Sequence, residues 1–546
     1  MSQSAVIDGH APSQVEPNLG AVFTKRWVVD LILDLAGYTP DRDLARSVAI
    51  EPSVGHGAFI VPMALRVLES ARRHGVDLSD ALGALIGYDI DPAAVRATRA
   101  AVTRALTAQG VAPQLATTMS KAWIRAGDFL NSVSGCPGAD WVIGNPPYVR
   151  VEDVDRDQMA AYRAAWPAMS GRADLYVGFL EAGLSLLAPE GCMAVICADR
   201  WMRNQYGAGL RRKVEAEFAV DACVVMHDVH AFEDKVAAYP AITVIRNGTQ
   251  GPALVCDADP SFDSAASRRL LQAWSRGPAP VATDPAYRMS WTTGWFTGHT
   301  SWPDGDPARL GVLTELEARL PLLEDTGARV SVGVATGADD IYITERAANT
   351  EPDRLLKTLS AKETSSGRIE WAGRYLVNPW TEHGLIPLDQ RPGMSAYLRR
   401  HATRLKSRHV ASKYPRTWWR TIDRIDPTIT GTPKLLIPDL KDRIAPVLDG
   451  GEYYPGHSLY YITSDTWDLE VLGGLLLSDL ATLFVEAYSV RMANGYLRVS
   501  AQYLRRVRLP QPDTLSADVC VGLRDAFRAR DLLAANTHAR AAYGID

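Results

Sequence analysis

The sequence contains no CxxC pair and no cysteine set beside a histidine. Its six cysteines (Cys136, Cys192, Cys197, Cys223, Cys256 and Cys520) are scattered along the chain. That spacing argues against a zinc or other metal site and suits reduced, mostly buried thiols of a cytoplasmic protein. No long apolar run is free of charge either. Glu470, Asp479 and Glu486 interrupt the most apolar stretch, 469–488, so it reads as one buried helix and not as a membrane span. Residues 1–20 lack a basic start and an apolar core, which excludes a signal peptide and leaves a flexible lead-in. Internal repeats and low-complexity tracts are missing as well. So is an excess of positive charge: the net charge is −5 over 546 residues, and any nucleic-acid surface must therefore be local. What remains, 47% hydrophobic and 22% charged, suffices for more than one domain.

The stretch with most to say is Asp-Trp-Val-Ile-Gly-Asn-Pro-Pro-Tyr-Val-Arg, from Asp140 to Arg150. Trp141, Val142 and Ile143 read as a buried strand that breaks at Gly144 and presents Asn145, Pro146, Pro147 and Tyr148 at its end. Open α/β sheets place their ligands there. The Asn145 amide oxygen is an acceptor, the prolines remove backbone donors, and Tyr148 adds an aromatic face. Acceptors beside an aromatic plate suit an exocyclic amine on a planar heterocycle. A proline-stiffened loop with a packed tyrosine explains the tetrapeptide equally well, so its neighbours must decide.

Those neighbours read as a nucleotide-binding α/β sheet. Thr24 can N-cap a helix running to Asp34. A strand from Ser47 to Ile50 enters Glu51-Pro-Ser-Val-Gly55-His-Gly57, and a helix follows from about Ala58 to His74. Glycines at such a turn allow close backbone approach to a ligand. Ile60 stands where a dinucleotide fingerprint has its third glycine, which disfavours NAD. The second strand, Ala84–Ile90, ends at two carboxylates, Asp89 and Asp91. Either can accept from ribose hydroxyls, and Asp91 can instead cap the helix from Ala93. Gly127-Asp128-Phe129 fits a third strand end, where Asp128 could accept from an amine while Phe129 covers a ring; a turn-forming Asp is the plainer alternative.

In this order, Glu51-Pro-x-x-x-Gly55-x-Gly57, Gly87-Tyr-Asp89-Ile-Asp-Pro, Asp128-Phe129-Leu and Asn145-Pro-Pro-Tyr148 resemble a gamma-class adenine-N6 DNA methyltransferase, in particular the TaqI- and PaeR7I-like modification methylases. Asp174 to Leu180 with Leu187 to Gly191, and His230-Ala-Phe232-Glu-Asp-Lys235, resemble later segments of that family. The similarity spans about residues 21–246. It implies a Rossmann-like methyltransferase domain using S-adenosylmethionine, followed by a mixed α/β target-recognition domain that binds double-stranded DNA. Thr24, Glu51, Gly55, Gly57, Asp89, Asp128, Phe129 and Asn145 would contact the cofactor, and Tyr148 and Phe232 would stack on the target base. Asp89 stands where some members have Glu and is shorter.

An adenine amino nitrogen is a poor nucleophile because its lone pair is delocalised into the ring. Acceptors that take both N–H bonds free it, and the Asn145 side-chain oxygen and Pro146 carbonyl are assigned that work. Direct in-line transfer needs no covalent intermediate, and the target base must be flipped out of the duplex.

The second half begins with a stretch, 249–309, that reads as a connection with few periodic elements; the catalytic domain is expected over 21–248 and the recognition domain over 310–546. Val330 to Thr344 reads as two strands around a turn. Residues 399–424 hold nine Lys or Arg against one acid, Asp423. Within them Lys413, Arg416, Trp418, Trp419 and Arg420 are the candidates for DNA contact. Strands are expected at 433–438 and 458–462, and an amphipathic tail at 515–543 should pack back on the body. A glutamine-modifying protein methyltransferase, an RNA methyltransferase and a non-catalytic DNA-binding subunit are the competing readings. The roughly 300 residues after Gly248 favour a long polymeric substrate over the first of these. Too few residues precede Thr24 for a fused nuclease, so a cognate restriction endonuclease, where one exists, is expected on a separate chain. A monomer is the default for modifying one base.

Overall fold

In a computed structural model of the protein, residues 22–133, 138–233, 239–278, 282–292, 294, 296, 301–303, 305–345, 350–489 and 496–545 are described. The lead-in expected at 1–20, and Cys136, Asp234 and Lys235, lie outside them.

Short buried strands build one mixed sheet. In chain order they are β1 (Ala49–Glu51), β2 (Leu85–Asp89), β3 (Ile124–Ala126), β4 (Ala139–Gly144), β5 (Leu187–Ala198), β6 (Ala219–Val225), β7 (Pro240–Arg246), β8 (Ala253–Ala258), β9 (Ala282–Asp284) and β10 (Tyr287–Thr292). Their spatial order is β3-β2-β1-β4-β5-β7-β6-β8-β10-β9. β3, β2, β1, β4 and β5 are parallel, and β7 inserts antiparallel between β5 and β6. Continuous apolar runs such as Trp141-Val142-Ile143 are buried, as strands covered on both faces require. Helices α1 (Arg26–Leu35), α2 (Ile60–His74) and α3 (Pro92–Ala108) belong to the same half of the chain. Strand order reverses between β1 and β4, so the loops leaving their carboxyl ends diverge and open a crevice.

Gly87 in β2 allows the turn after β1 to lie close. A Cβ at Gly87 would sit 2.5 Å from Val54 Cγ1. Gly87→Ala is therefore expected to lower stability by about 1–3 kcal/mol through overpacking, read as a lower melting temperature of the full chain.

Several expectations from sequence are corrected here. The helix N-cap is Lys25, not Thr24; Thr24 is in extended pairing with Phe232, so its hydroxyl is turned elsewhere. The stretch after 248 is not a bare connection. β8, a helix (Ser264–Arg276), β9 and β10 extend the sheet, with β8 parallel to β6. Its apolar core, Ala253 to Cys256, is short and lies among Gly, Pro and Ser, which masked the strand signal.

The chain divides into compact units at Trp302/Pro303. In the second, Ala328–Val332, Leu459–Ser464, Lys434–Pro438 and Val447–Asp449 form an antiparallel sheet, in that order. Val330 to Thr344 does hold two strands around a turn, but they do not pair with each other: Ile343–Thr344 pairs with Tyr375–Leu376 in a different sheet, after a helical turn at Asp339–Tyr342. The buried helix expected over 469–488 is two, Leu469–Leu477 and Asp479–Glu486, because Ser478 caps the second by accepting from the Ala481 amide. The tail forms Ala517–Ala529 and Leu532–Tyr543. It packs where a Cβ on Gly473 would meet the Phe527 ring at 2.6 Å.

Candidate active site

Most of the sequence-predicted residues of the first unit meet in one cavity at the carboxyl ends of β1 to β4; Gly57, Tyr148 and Phe232 do not line it. It has a volume of about 520 Å³ and is lined by Thr24, Glu51, Gly55, Asp89, Asp128, Phe129, Asn145 and Pro146 among others. Gly57 supports it from the turn: its φ is +92°, and a Cβ there would press on Val61 and Thr98 at 3.2 and 3.3 Å. Thr98 in α3 donates to the Gly55 carbonyl at 2.6 Å and holds the turn against α3.

Both carboxylates line the cavity, and they differ in what holds them. Asp91 accepts from the Ala93 and Ala94 amides and so caps α3. Asp89 accepts from the amides of Gly55 (2.8 Å) and Asp91 (2.9 Å), which ties the glycine turn to the end of β2 and keeps its carboxylate at the cavity wall. At the next strand end, Asp128 caps the short helix Phe129–Ser132 by accepting from the Leu130 amide, and it takes the Tyr162 hydroxyl at 2.8 Å. Phe129 lies beneath, stacked on Phe179 with ring centroids 5.5 Å apart. Tyr162, its partner Gln158 and Phe179 line this end too, and the sequence reading missed them. Gln158 and Tyr162 stand on a helix without a motif and Phe179 within the Asp174–Leu180 segment of the resemblance; only the fold brings them to Asp128.

At the other end, Asn145 Nδ2 donates to the Val22 carbonyl (3.1 Å) and to Thr24 Oγ1 (3.2 Å). Those bonds fix the amide so that Oδ1 faces away from them, buried and without a hydrogen-bond partner among the described residues. Leaving such an acceptor unpaired is costly, so it marks a place where a donor belongs. Glu51 Oε2 and the Tyr148 hydroxyl are orphaned in the same way. Tyr148 and Phe232 stand nearly perpendicular, with centroids 6.2 Å apart and an interplanar angle of 80°. At that distance the two rings are in edge-to-face contact with each other, packed on the core beside the cavity and not lining it. The bridge between Thr24 and Phe232 links the Asn145 support to this pair. The unpartnered acceptors, the carboxylates and the aromatic floor together fit a nucleoside bearing a cationic side arm.

Glu51 is fully buried, and burial, with the nearby charge of Asp89, pushes its carboxyl well above the usual range. A carboxyl raised in the folded state favours folding below its unfolded value, and that contribution is lost as pH rises through the raised one. Glu51→Gln is accordingly expected to raise the melting temperature of the ligand-free chain near neutral pH. The gain should vanish towards pH 4–5, about where an unfolded carboxyl titrates. Equal melting curves at both pH values would contradict this.

In the second unit the basic segment divides. Lys413 and Arg416 are exposed. Trp418 and Trp419 are half-buried against the unit's core, and the Trp419 indole donates to the Ile386 carbonyl at 3.0 Å, so packing accounts for them. Arg420 lies over Tyr414, 3.9 Å from the ring centroid. Arg408 is buried, and its guanidinium donates to the carbonyls of Leu405, Thr336, Trp418 and Arg420; it is a structural cation. No helix among the described residues is long and apolar enough to cross a membrane, and no metal-ligating cluster occurs among them.

A nucleotide-type cavity ending in Asn-Pro-Pro-Tyr defines a class, and residues 84–229 match the family model described as Eco57I restriction-modification methylase. The chain is 39% identical over 532 residues to Type II methyltransferase M.PaeR7I of Pseudomonas aeruginosa, covering 96% of this chain and 92% of that one. It is 40% identical over 539 residues to Type II methyltransferase M.XhoI of Xanthomonas vasicola, covering 96% and 97%. The chain belongs to the Type II methyltransferases. Its fold is similar to that of the Type IIL restriction-modification enzyme MmeI, solved in complex with DNA (TM-score 0.55, 12% identity, 95% of this chain and 74% of that one).

Proposed function

We propose that the chain methylates N6 of an adenine flipped out of a specific duplex DNA sequence, as the modification activity of a restriction–modification system. The observation that carries this is the buried, unpartnered Oδ1 of Asn145 beside the perpendicular Tyr148–Phe232 pair. S-adenosylmethionine, when bound, supplies an electrophilic methyl group on a sulfonium.

The chain's own residues do the rest. Asp128 accepts from the amine of the cofactor's adenine while Phe129 and Phe179 floor its ring; Asp89 accepts from the ribose hydroxyls. Glu51, Thr24 and the Gly55–Gly57 turn border the methionine end. Asn145 Oδ1 and the Pro146 carbonyl accept the two N–H bonds of the target amine and draw its nitrogen towards tetrahedral geometry. Tyr148 and Phe232 hold the flipped ring, returning roughly 1–3 kcal/mol per stacked base against an extrusion cost of a few kcal/mol. Most of the rate comes from this positioning. Lys413, Arg416 and Arg420 supply phosphate contacts, with Trp418 and Trp419 beneath them, so binding to DNA weakens steeply with salt.

The test is to incubate the full chain with labelled S-adenosylmethionine and duplex DNA, RNA or protein, and to digest the products. N6-methyladenine in DNA is expected. Label only in protein or RNA, at another base, or nowhere overturns the proposal.

A further inference from the structure

The turn that delivers Phe232 starts on a buried ion cluster outside the cavity. β5 and β6 both pair with β7, with Ala198 opposite Pro240 and Val225 opposite Ala241. This register brings the residues just beyond the two strands, Asp199 and His227, to the same end of the sheet beside Tyr239. Asp199 is 1% exposed, and its carboxylate takes His227 Nε2 at 2.5 Å together with the guanidinium of buried Arg203. A carboxylate only accepts, so the shorter of the two contacts at Nε2 assigns it the proton, and the Arg203 guanidinium lies 3.5 Å from the same nitrogen. Arg203 compensates the buried charge, and the Tyr239 ring stands edge-on to the imidazole with centroids 5.0 Å apart. From His227 the backbone turns tightly: the Val229 amide donates to Met226 and the Ala231 amide to Val229. Phe232 then pairs with Thr24, and the Lys25 amide donates to Ala231 at 3.0 Å. The segment is thus pinned at its far end to the strand carrying Thr24 and at its near end to Asp199.

We propose that His227, held by Asp199 and Arg203, is a positioning residue that fixes the Phe232 ring at the angle at which it receives the target base. This rests on the proposed adenine methylation. A charge-assisted bond at the root of a short turn removes freedom from the side chain at its tip. Neither His227 nor Phe232 lines the cavity, and the effect of His227 reaches the reaction only through the Phe232 ring beside it.

A double-mutant cycle on the full chain tests this, with single-turnover transfer to duplex DNA and calorimetric binding of S-adenosylmethionine as readouts. His227→Leu is expected to lower transfer about tenfold, the scale of a partly lost base stack, with cofactor affinity unchanged. Combining it with Phe232→Ala should be no worse than Phe232→Ala alone, because both act on one contact. His227→Gln, whose Nε2 can replace the imidazole N–H, should recover transfer to within about threefold of the parent. In DNA carrying 2-aminopurine at the target, the fluorescence rise on binding should be smaller for His227→Leu than for His227→Gln. Additive losses, a parallel fall in cofactor affinity, or a Gln variant as poor as Leu each overturn the proposal. A parent chain that methylates no adenine overturns it together with the proposed function, whereas an active parent with additive variants overturns this inference alone.

Discussion

Asn145→Ala is expected to reduce methyl transfer to DNA by about a thousandfold or more, the scale seen when a preorganised group aimed at the reacting centre is removed. Cofactor affinity should change little. The reason lies in how the amide is held. Its Nδ2 is spent on Val22 and Thr24, and only Oδ1 remains for a substrate donor. Alanine removes that acceptor while β4 and the carboxylates of the cofactor end stay in place. Measured as kcat and as cofactor Kd, the loss should fall almost wholly on kcat. A variant with parental transfer would show that Asn145 does not touch the target amine. A variant that loses cofactor binding in proportion would make Asn145 a cofactor ligand only.

Asp89→Ala should act at the opposite end of the cavity, weakening S-adenosylmethionine binding by about a hundredfold, as expected for losing charge-assisted hydrogen bonds. Two causes combine. The carboxylate proposed to hold the ribose is lost, and so is the acceptor that ties Gly55 to β2. The informative control is Asp91→Ala. Asp91 is occupied by the Ala93 and Ala94 amides, so its loss should cost about 1 kcal/mol of stability through the cap and leave cofactor affinity nearly unchanged. Calorimetry on the two variants separates them. Equal losses would mean that the turn is disturbed from either side and that the assignment of the ribose to Asp89 fails.

Much of the first unit was legible because its signals are local. An apolar run ending in glycine, carboxylate or Asn-Pro-Pro-Tyr requires nothing distant to be read as a strand end, and each such end observed lies where β1 to β4 stop. Resemblance put these pieces in one cavity, and Glu51, Gly55, Asp89, Asp128, Phe129, Asn145 and Pro146 line one, whereas Tyr148 and Phe232 pack beside it. Thr24 shows the limit. A Thr before an amphipathic helix is a good cap by local rules, yet its hydroxyl takes Asn145 Nδ2 and its backbone pairs with Phe232, partners far away in sequence. The tryptophans Trp418 and Trp419 show another. A cluster of cations and aromatics has the same composition whether it faces phosphate or packs on a core, and only burial separates Arg408, which is structural, from exposed Lys413 and Arg416.

By itself, then, the sequence determined the class of fold, the order of the strand ends and the residue types that stand at each end, because these depend on near-neighbour spacing. Tertiary structure alone decided which of Asp89 and Asp91 is spent as a cap, that Asn145 is held with its oxygen unpaired, that residues beyond 248 extend the sheet, and that Asp199 and His227 meet at the root of the Phe232 turn. Each of these depends on strand register and long-range hydrogen bonding, in which the partner is set by where the sheet brings the chain back and not by what stands beside it in sequence.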